Sequence, residues 1–466
     1  MLSFLDLRKK FLQKSLQTQS SFGVELEFLV AVRSDSDNMV RFVPEELAGQ
    51  PGQAILIPEE KNNLWERDTY CINHVQATLD SCLGNLSAKT RVFVPNELST
   101  PEEGYLHEDY EYWTAKQDAS IGLPDKLFSS GEYLGHQWAG IEVTSPALWN
   151  ENESFDEIRK VCEVLKARYW ILTPPTCGLH VHYGHGQDQI AVQDLRNIAA
   201  LLLAADPLLV QLHPESRKRN RFCVSNRLFS DVAQGLSAET ATAMLMHDSV
   251  SSEGEEAPQK VMRPLQGSKL LSRSSWRSFN RLIPQGTLTS YPVGEPGSKL
   301  KCPGNAAARL HAPRSILGCV EEILSATQPE VVARLMQAPP NTSSKPAYSF
   351  ANYDQQQPFP NSNSEIKKTV EFRQAAGTVD ADEIITFAKL AIGLADFACS
   401  SDLDTFWSVI LKCAQADANT TAQGKDKTTS YDVFNFLADI GLCRLIRPLQ
   451  NIVIKKHPTV QESQSK

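Results

Sequence analysis

The sequence predicts a mixed, mainly antiparallel α+β fold. Three observations predict it. Six short strand-like runs, at 22–30, 91–94, 138–145, 176–183, 347–353 and 367–373, are bounded by Gly, Pro, Asn or Ser. Three segments carry a helical spacing of apolar residues instead. The two kinds of segment do not alternate regularly, as a doubly wound parallel sheet would require.

The helices are justified in order. Ser154 and Glu157 form a Ser-x-x-Glu capping-box pattern ahead of Ile158, Val161, Val164 and Leu165, which predicts a helix start at Ser154. The second helix spans 191–212, with Pro207 near a kink or break. The third follows Asp380 and carries Ile384, Ile385, Phe387, Ala388 and Leu390. No internal repeat is visible. The stretch 249–303 is rich in Ser, Gly, Glu, Lys and Pro and reads as a flexible insertion, and the tail 456–466 reads as disordered.

Composition limits the function. The chain has 466 residues, 41% hydrophobic and 22% charged, enough to bury a large core. Its 55 acidic and 46 basic residues give a net charge of −9, which argues against a nucleic-acid partner. An anionic ligand stays open, because a metal ion can supply positive charge locally. The apolar stretch 198–212 is interrupted by Asp206 and Pro207 and falls short of the roughly 20 residues a membrane span needs, so no membrane partner is expected. The first 20 residues are basic, contain Ser and lack a secretory core. They fit an amphipathic surface helix or a transit peptide. Ten scattered cysteines without a CxxC predict reduced thiols. A cytoplasmic location follows as the expectation, with mitochondrial import as the alternative.

The informative pattern is a spacing of two. Glu25 and Glu27 lie in FGVELEFLV, His180 and His182 in CGLHVHYG, Glu371 and Arg373 in TVEFRQAAGT, and Glu142 and Thr144 in AGIEVTSP. On a strand such residues share a face, and the apolar Leu26, Val181, Phe372 and Val143 between them turn to the other. Singly, each pair also fits a solvated face or a structural salt bridge. Together they place carboxylates and histidines on one sheet face, which is costly unless a metal or ligand neutralises them. Glutamates with a histidine suit Mg²⁺ or Mn²⁺ better than a structural zinc. Arg373 beside a metal-bound carboxylate would offer a fixed cation to phosphate oxygens.

These segments resemble the fungal-type amidoligase family of the carboxylate–amine ligase superfamily, which is related to glutamine synthetase and glutamate–cysteine ligase. The resembling pieces are GVELEF (23–28), WTAKQDASI (113–121), GIEVTSPAL (140–148), CGLHVHYG (177–184), HPESRKRNRFC (213–223) and EFRQAAGT (371–378). The resemblance implies a glutamine-synthetase-like, curved, mainly antiparallel sheet with helices packed on its outer face. It implies a catalytic domain over 15–400, containing the 249–303 insertion, with a helical extension over 401–455 packed on it. It also implies an ATP- and Mg-dependent ligase (Mn in place of Mg), joining a small-molecule or peptide carboxylate to an amine through an acyl phosphate.

Carried over by position, Glu25, Glu27, Glu142, His180 and Glu371 become metal ligands. Arg373 and Arg217 become phosphate contacts, and His182 becomes a supporting or substrate-facing residue on the cofactor side. Asp118 would bind the amine or a metal, or else form only a turn with Ser120. Ser145 and Pro146 would shape a strand end. His136, His185 and Asn352 read more simply as loop or strand-end residues, and Trp113, Trp138 and Trp149 as core or rim aromatics. Two other readings use the same residues, a two-metal phosphatase or hydrolase and a non-catalytic ligand-binding member. The substrates and the oligomeric state are left open.

Overall fold

The computed structural model describes residues 19–36, 47–59, 63–83, 90–92, 111–118, 120–122, 136–251, 313–338, 344–354, 368–421 and 431–456. The N-terminal 18 residues, most of the 249–303 insertion and the tail after residue 456 lie outside them.

The strands are β1 (Ser21–Ser34), β2 (Ile55–Ile57), β3 (Thr114–Gln117), β4 (Gln137–Thr144), β5 (Leu148–Trp149), β6 (Ile171–Leu172), β7 (Gly178–Gly184), β8 (Tyr348–Ser349) and β9 (Val370–Ala376). They form one sheet whose main row runs β3-β4-β1-β7-β9-β8, while β2, β5 and β6 pair only with β1. Every pairing is antiparallel except β1 with β2. The 14-residue β1 is therefore the hub of the sheet. Of the run 91–94, only Arg91 bridges to Leu148, and residues 93 and 94 lie outside the described chain.

The α+β class and the antiparallel sheet are as expected, but the glutamine-synthetase-like curved sheet is not. The sheet is open and is not strongly curled. The topology gives a reason. Among the described residues, three of nine strands branch off β1 instead of lengthening the row, and the outermost strands of the row span four and two residues. Closing a sheet requires edges long enough to pair in staggered register.

One face of this sheet is the floor of the core. Val24, Leu26, Phe28, Val143 and Val181 are at most 2% exposed and join one apolar cluster with the helices. Those helices are α1 (Leu64–Leu83), α2 (Asn152–Arg168), α3 (Val192–Leu209), α4 (Ala238–Ser251), α5 (Ile316–Ser325), α6 (Pro329–Met336), α7 (Ala381–Ser400), α8 (Leu403–Thr421), α9 (Val433–Asp439) and α10 (Cys443–Lys456). By length and composition Val192–Leu212 could cross a membrane, but most of it is buried inside the fold. Its buried Asp206 accepts hydrogen bonds from the Arg227 backbone (2.9 Å), Gln374 Nε2 (2.9 Å) and Ser225 Oγ, which ties α3 to β9. Pro207 sits inside the helix.

Two helix starts contrast. Asp380 caps α7 by accepting from the Asp382 and Glu383 backbones, as its position ahead of the apolar spacing predicts. The capping box at Ser154 does not form. The helix begins at Asn152, and Ser154 is buried within its first turn. Glu157 instead accepts from Trp113 Nε1 (2.7 Å) and Thr90 Oγ1 (3.0 Å), because buried tertiary donors outcompete a local cap.

Candidate active site

The other face of the sheet carries the polar residues. Register assembles them in rows: Lys116 opposite Glu142 opposite Glu27, Thr144 opposite Glu25 opposite His180, and His182 opposite Glu371 opposite Ser349. Four sequence-distant strands thus deliver Glu25, Glu27, Glu142, His180, His182, Glu371 and Arg373 to one surface. Their rims line a cleft of about 310 Å³ that includes Glu25, Lys116, Glu142, His182, Glu371 and Arg373.

Among the described residues, two groups have ligand atoms close enough to share an ion. Glu25, His180 and Glu371 form one, and Glu27, Asp118 and Glu142 the other; within each, the atoms lie within 4.8 Å of one another. The first offers one nitrogen and two carboxylates, the second three carboxylates. That donor chemistry fits Mg²⁺ or Mn²⁺.

The contacts are close. His180 Nδ1 lies 2.9 Å from Glu25 Oε2 and 3.6 Å from Glu371 Oε1, and its Nε2 lies 3.4 Å from Glu27 Oε1. His182 Nε2 lies 2.9 Å from Glu25 Oε1. The Gly178 backbone donates to Glu27 Oε2 at 2.5 Å. A Cβ at Gly178 would stand 2.8 Å from His180 Nε2 and 3.0 Å from an Arg217 nitrogen, so glycine leaves room for both side chains as they are placed. Asp118 closes a turn by accepting from the Ser120 backbone (2.6 Å) while its carboxylate faces Glu27 and Glu142. The turn is formed, and the same carboxylate lies within reach of a cation that Glu27 and Glu142 could share.

Crowding sets the proton affinities. Burial, with the charges of Glu25, Glu27 and Asp118, pushes Glu142 up to about 8. Burial also raises Glu27. Burial acts to raise Glu25 as well, but the charges and hydrogen bonds of His182 and His180 hold it well below the usual carboxylate range. Burial would lower His182, but Glu25 and Glu371 carry it up to about 9. Burial works against the Arg373 guanidinium, yet Glu371, Glu25 and Glu27 raise it.

Arg373 pairs with Glu371 and donates through Nε to the Phe222 carbonyl at 3.1 Å. Arg217 has a different setting from a phosphate contact. It is 2% exposed and donates to the carbonyls of Arg373 (2.6 Å), Gln374 (3.3 Å) and Cys177 (3.3 Å). The register of β7 and β9 shifts between Leu179 and Val181, so an extra β9 residue lies in this stretch. Arg217 supplies the donors that the Arg373 and Gln374 carbonyls need at this irregularity.

Among the other residues singled out, Ser145 locks the end of β4, accepting from the Val24 backbone and donating to the Pro146 carbonyl, both at 2.8 Å. His185 is buried beside Tyr183, 3.0 Å from its hydroxyl. His136 packs edge-on against Trp170. Sequence reasoning missed Lys116, whose place opposite Glu142 is set by the register of β3 on β4. It also missed Thr369, although the same spacing of two puts it on the face of Glu371 and Arg373.

The family described as "Putative amidoligase enzyme" matches residues 18–243. No curated protein matches the chain. The amidoligase match takes in Glu25, Glu27, Asp118, Glu142, His180, His182 and Arg217 and stops before Glu371 and Arg373. The fold joins the two parts, since β9 pairs directly with β7.

Without a cation, Glu142 keeps its proton to about pH 8, and a bound cation must displace it. Mn²⁺ affinity should therefore rise about tenfold per pH unit below about pH 8 for this one released proton. Calorimetric titration across that range checks it, and Glu142→Gln should lower the slope by one proton.

Proposed function

We propose that the chain is an ATP- and Mg²⁺-dependent (or Mn²⁺-dependent) carboxylate–amine ligase. The observation that carries this reading is a pair of carboxylate-rich ligand groups whose Glu25, Glu371 and Glu142 line one cleft together with Arg373. Glu25, His180 and Glu371 would hold one cation, and Glu27, Asp118 and Glu142 a second. Bound there, divalent cations neutralise a triphosphate and polarise the bond to its γ-phosphorus.

The chain's own residues supply the rest. Arg373, anchored to the Phe222 carbonyl and to Glu371, presents a pre-organised cation to phosphate oxygens. Lys116, across β4 from Glu142, supplies positive charge at the other end of the cleft. The substrate carboxylate oxygen attacks the γ-phosphorus, the bond to the β-bridging oxygen breaks, and ADP leaves. The amine then attacks the acyl carbon, phosphate departs with the C–O bond electrons, and the nitrogen loses a proton. Binding both substrates side by side makes the second step effectively unimolecular.

The test is incubation with ATP, Mg²⁺ and a panel of carboxylates and amines. ADP formation should depend on both partners, and the product should contain a new amide. Phosphate release from simple phosphate esters, with neither ADP nor amide, would replace this reading with a two-metal hydrolase.

A further inference from the structure

Beside the cation ligands runs a chain of hydrogen bonds that no ligand role accounts for. Asn352, on the helical turn Ala351–Tyr353 after β8, donates through Nδ2 to Thr369 Oγ1 at 2.9 Å. Thr369, immediately before β9, lies 3.1 Å from His182 Nδ1. His182 Nε2 lies 2.9 Å from Glu25 Oε1. All four residues line the same cleft.

The Glu25 carboxylate fixes the hydrogen at its own end of this chain. An ionised carboxylate only accepts, so His182 Nε2 must carry a hydrogen toward Glu25. A neutral His182 then has its lone pair on Nδ1, and the Thr369 hydroxyl must donate to it. The Thr369 oxygen is free to accept, and the Asn352 amide donates there. If His182 is doubly protonated, the same hydroxyl oxygen accepts from both sides. In either state the Nε2 hydrogen points at Glu25. For a neutral His182, the reverse amide orientation would place the Nε2 lone pair against a carboxylate oxygen.

Both nitrogens of His182 are thereby used inside the protein, and His182 belongs to neither cation-ligand group. We infer that Asn352, Thr369 and His182 form a prop that holds Glu25 Oε1, turning Oε2 toward His180 and Glu371 for the cation. Thr369 and Asn352 are positioning residues in this assignment, and His182 acts through Glu25. The inference rests on the cation-binding part of the proposed function. Outer partners of this kind typically set metal affinity by about 10- to 100-fold.

The experiment measures Mn²⁺ affinity by calorimetry, with melting of the cation-free protein as the control for folding. Thr369→Val keeps the shape and loses the hydroxyl; it should weaken Mn²⁺ binding about 10- to 100-fold with little change in cation-free melting. Thr369→Ser should restore affinity to within about threefold of wild type, since the hydroxyl returns. Asn352→Asp removes the first donor and should weaken binding as Thr369→Val does, which covers the case in which the valine variant does not fold. His182→Gln, which keeps a side-chain N–H donor, should retain more affinity than Glu25→Gln. Wild-type affinity in folded Thr369→Val and Asn352→Asp would overturn the inference. So would a His182→Gln protein as deficient as Glu25→Gln, because that makes His182 a ligand. Wild-type protein that binds no Mn²⁺ would overturn the cation reading itself.

Discussion

Glu371→Ala should lower carboxylate-dependent ADP formation on the order of 10³-fold, equivalent to about 4 kcal/mol of transition-state stabilisation. Two losses combine. The first ligand group keeps only Glu25 and His180, and Arg373 loses the carboxylate that holds its guanidinium on the cleft side. Steady-state assay at saturating ATP measures the effect, alongside Mn²⁺ titration to show that the cation is lost with it. Glu371→Gln should be nearly as impaired, because the amide is a weaker ligand and no longer pairs with Arg373. A folded Glu371→Ala protein with wild-type turnover would remove β9 from the active site.

Arg217→Met should destabilise the fold by about 3 kcal/mol or more. Each of the three carbonyls it serves would lose a buried donor, at about 1–3 kcal/mol apiece where no water enters. Arg217→Lys should recover little of this, since one ammonium group cannot reproduce the planar fork that spans two strands. Urea unfolding of both variants gives the comparison. The functional loss should follow the structural one, because the carbonyl that Arg217 holds most closely is that of Arg373. A methionine variant as stable as wild type would assign the strand irregularity to backbone pairing alone.

The contrast between Glu371 and Arg217 shows what the sequence could disclose. Glu371 and Arg373 were legible because strand side chains repeat every two residues, a local property. The same rule found Glu25 with Glu27, His180 with His182, and the apolar residues that pack beneath them. It could not find that Glu27 faces Glu142 or that Glu25 touches both histidines, because register is fixed by pairing partners over 100 residues away. Arg217 sits in a run of basic residues that reads as a solvated helix end. Its burial is decided by carbonyls of β7 and β9 that only the folded sheet brings to it. β2, β5 and β6 span two or three residues, too short to show any period. The curvature expected from the resemblance failed for a related reason. Three strands branch from β1, and no local pattern encodes a branch.

The long central strand has one more consequence, which concerns the order of events during folding. Glu25 meets His180 across 155 residues of chain, and His182 meets Thr369 across 187. Such contacts are paid for in loop closure before they return anything, so they form late and together. Until β1 has paired with β7 and β7 with β9, the Glu25, His180 and Glu371 group is incomplete. A cation that binds the finished site and not the unfolded chain deepens the native well by mass action, by about 2.7 kcal/mol at a hundred times its dissociation constant. An ion taken up at the proposed site would thus act on the finished topology and add its stabilisation there.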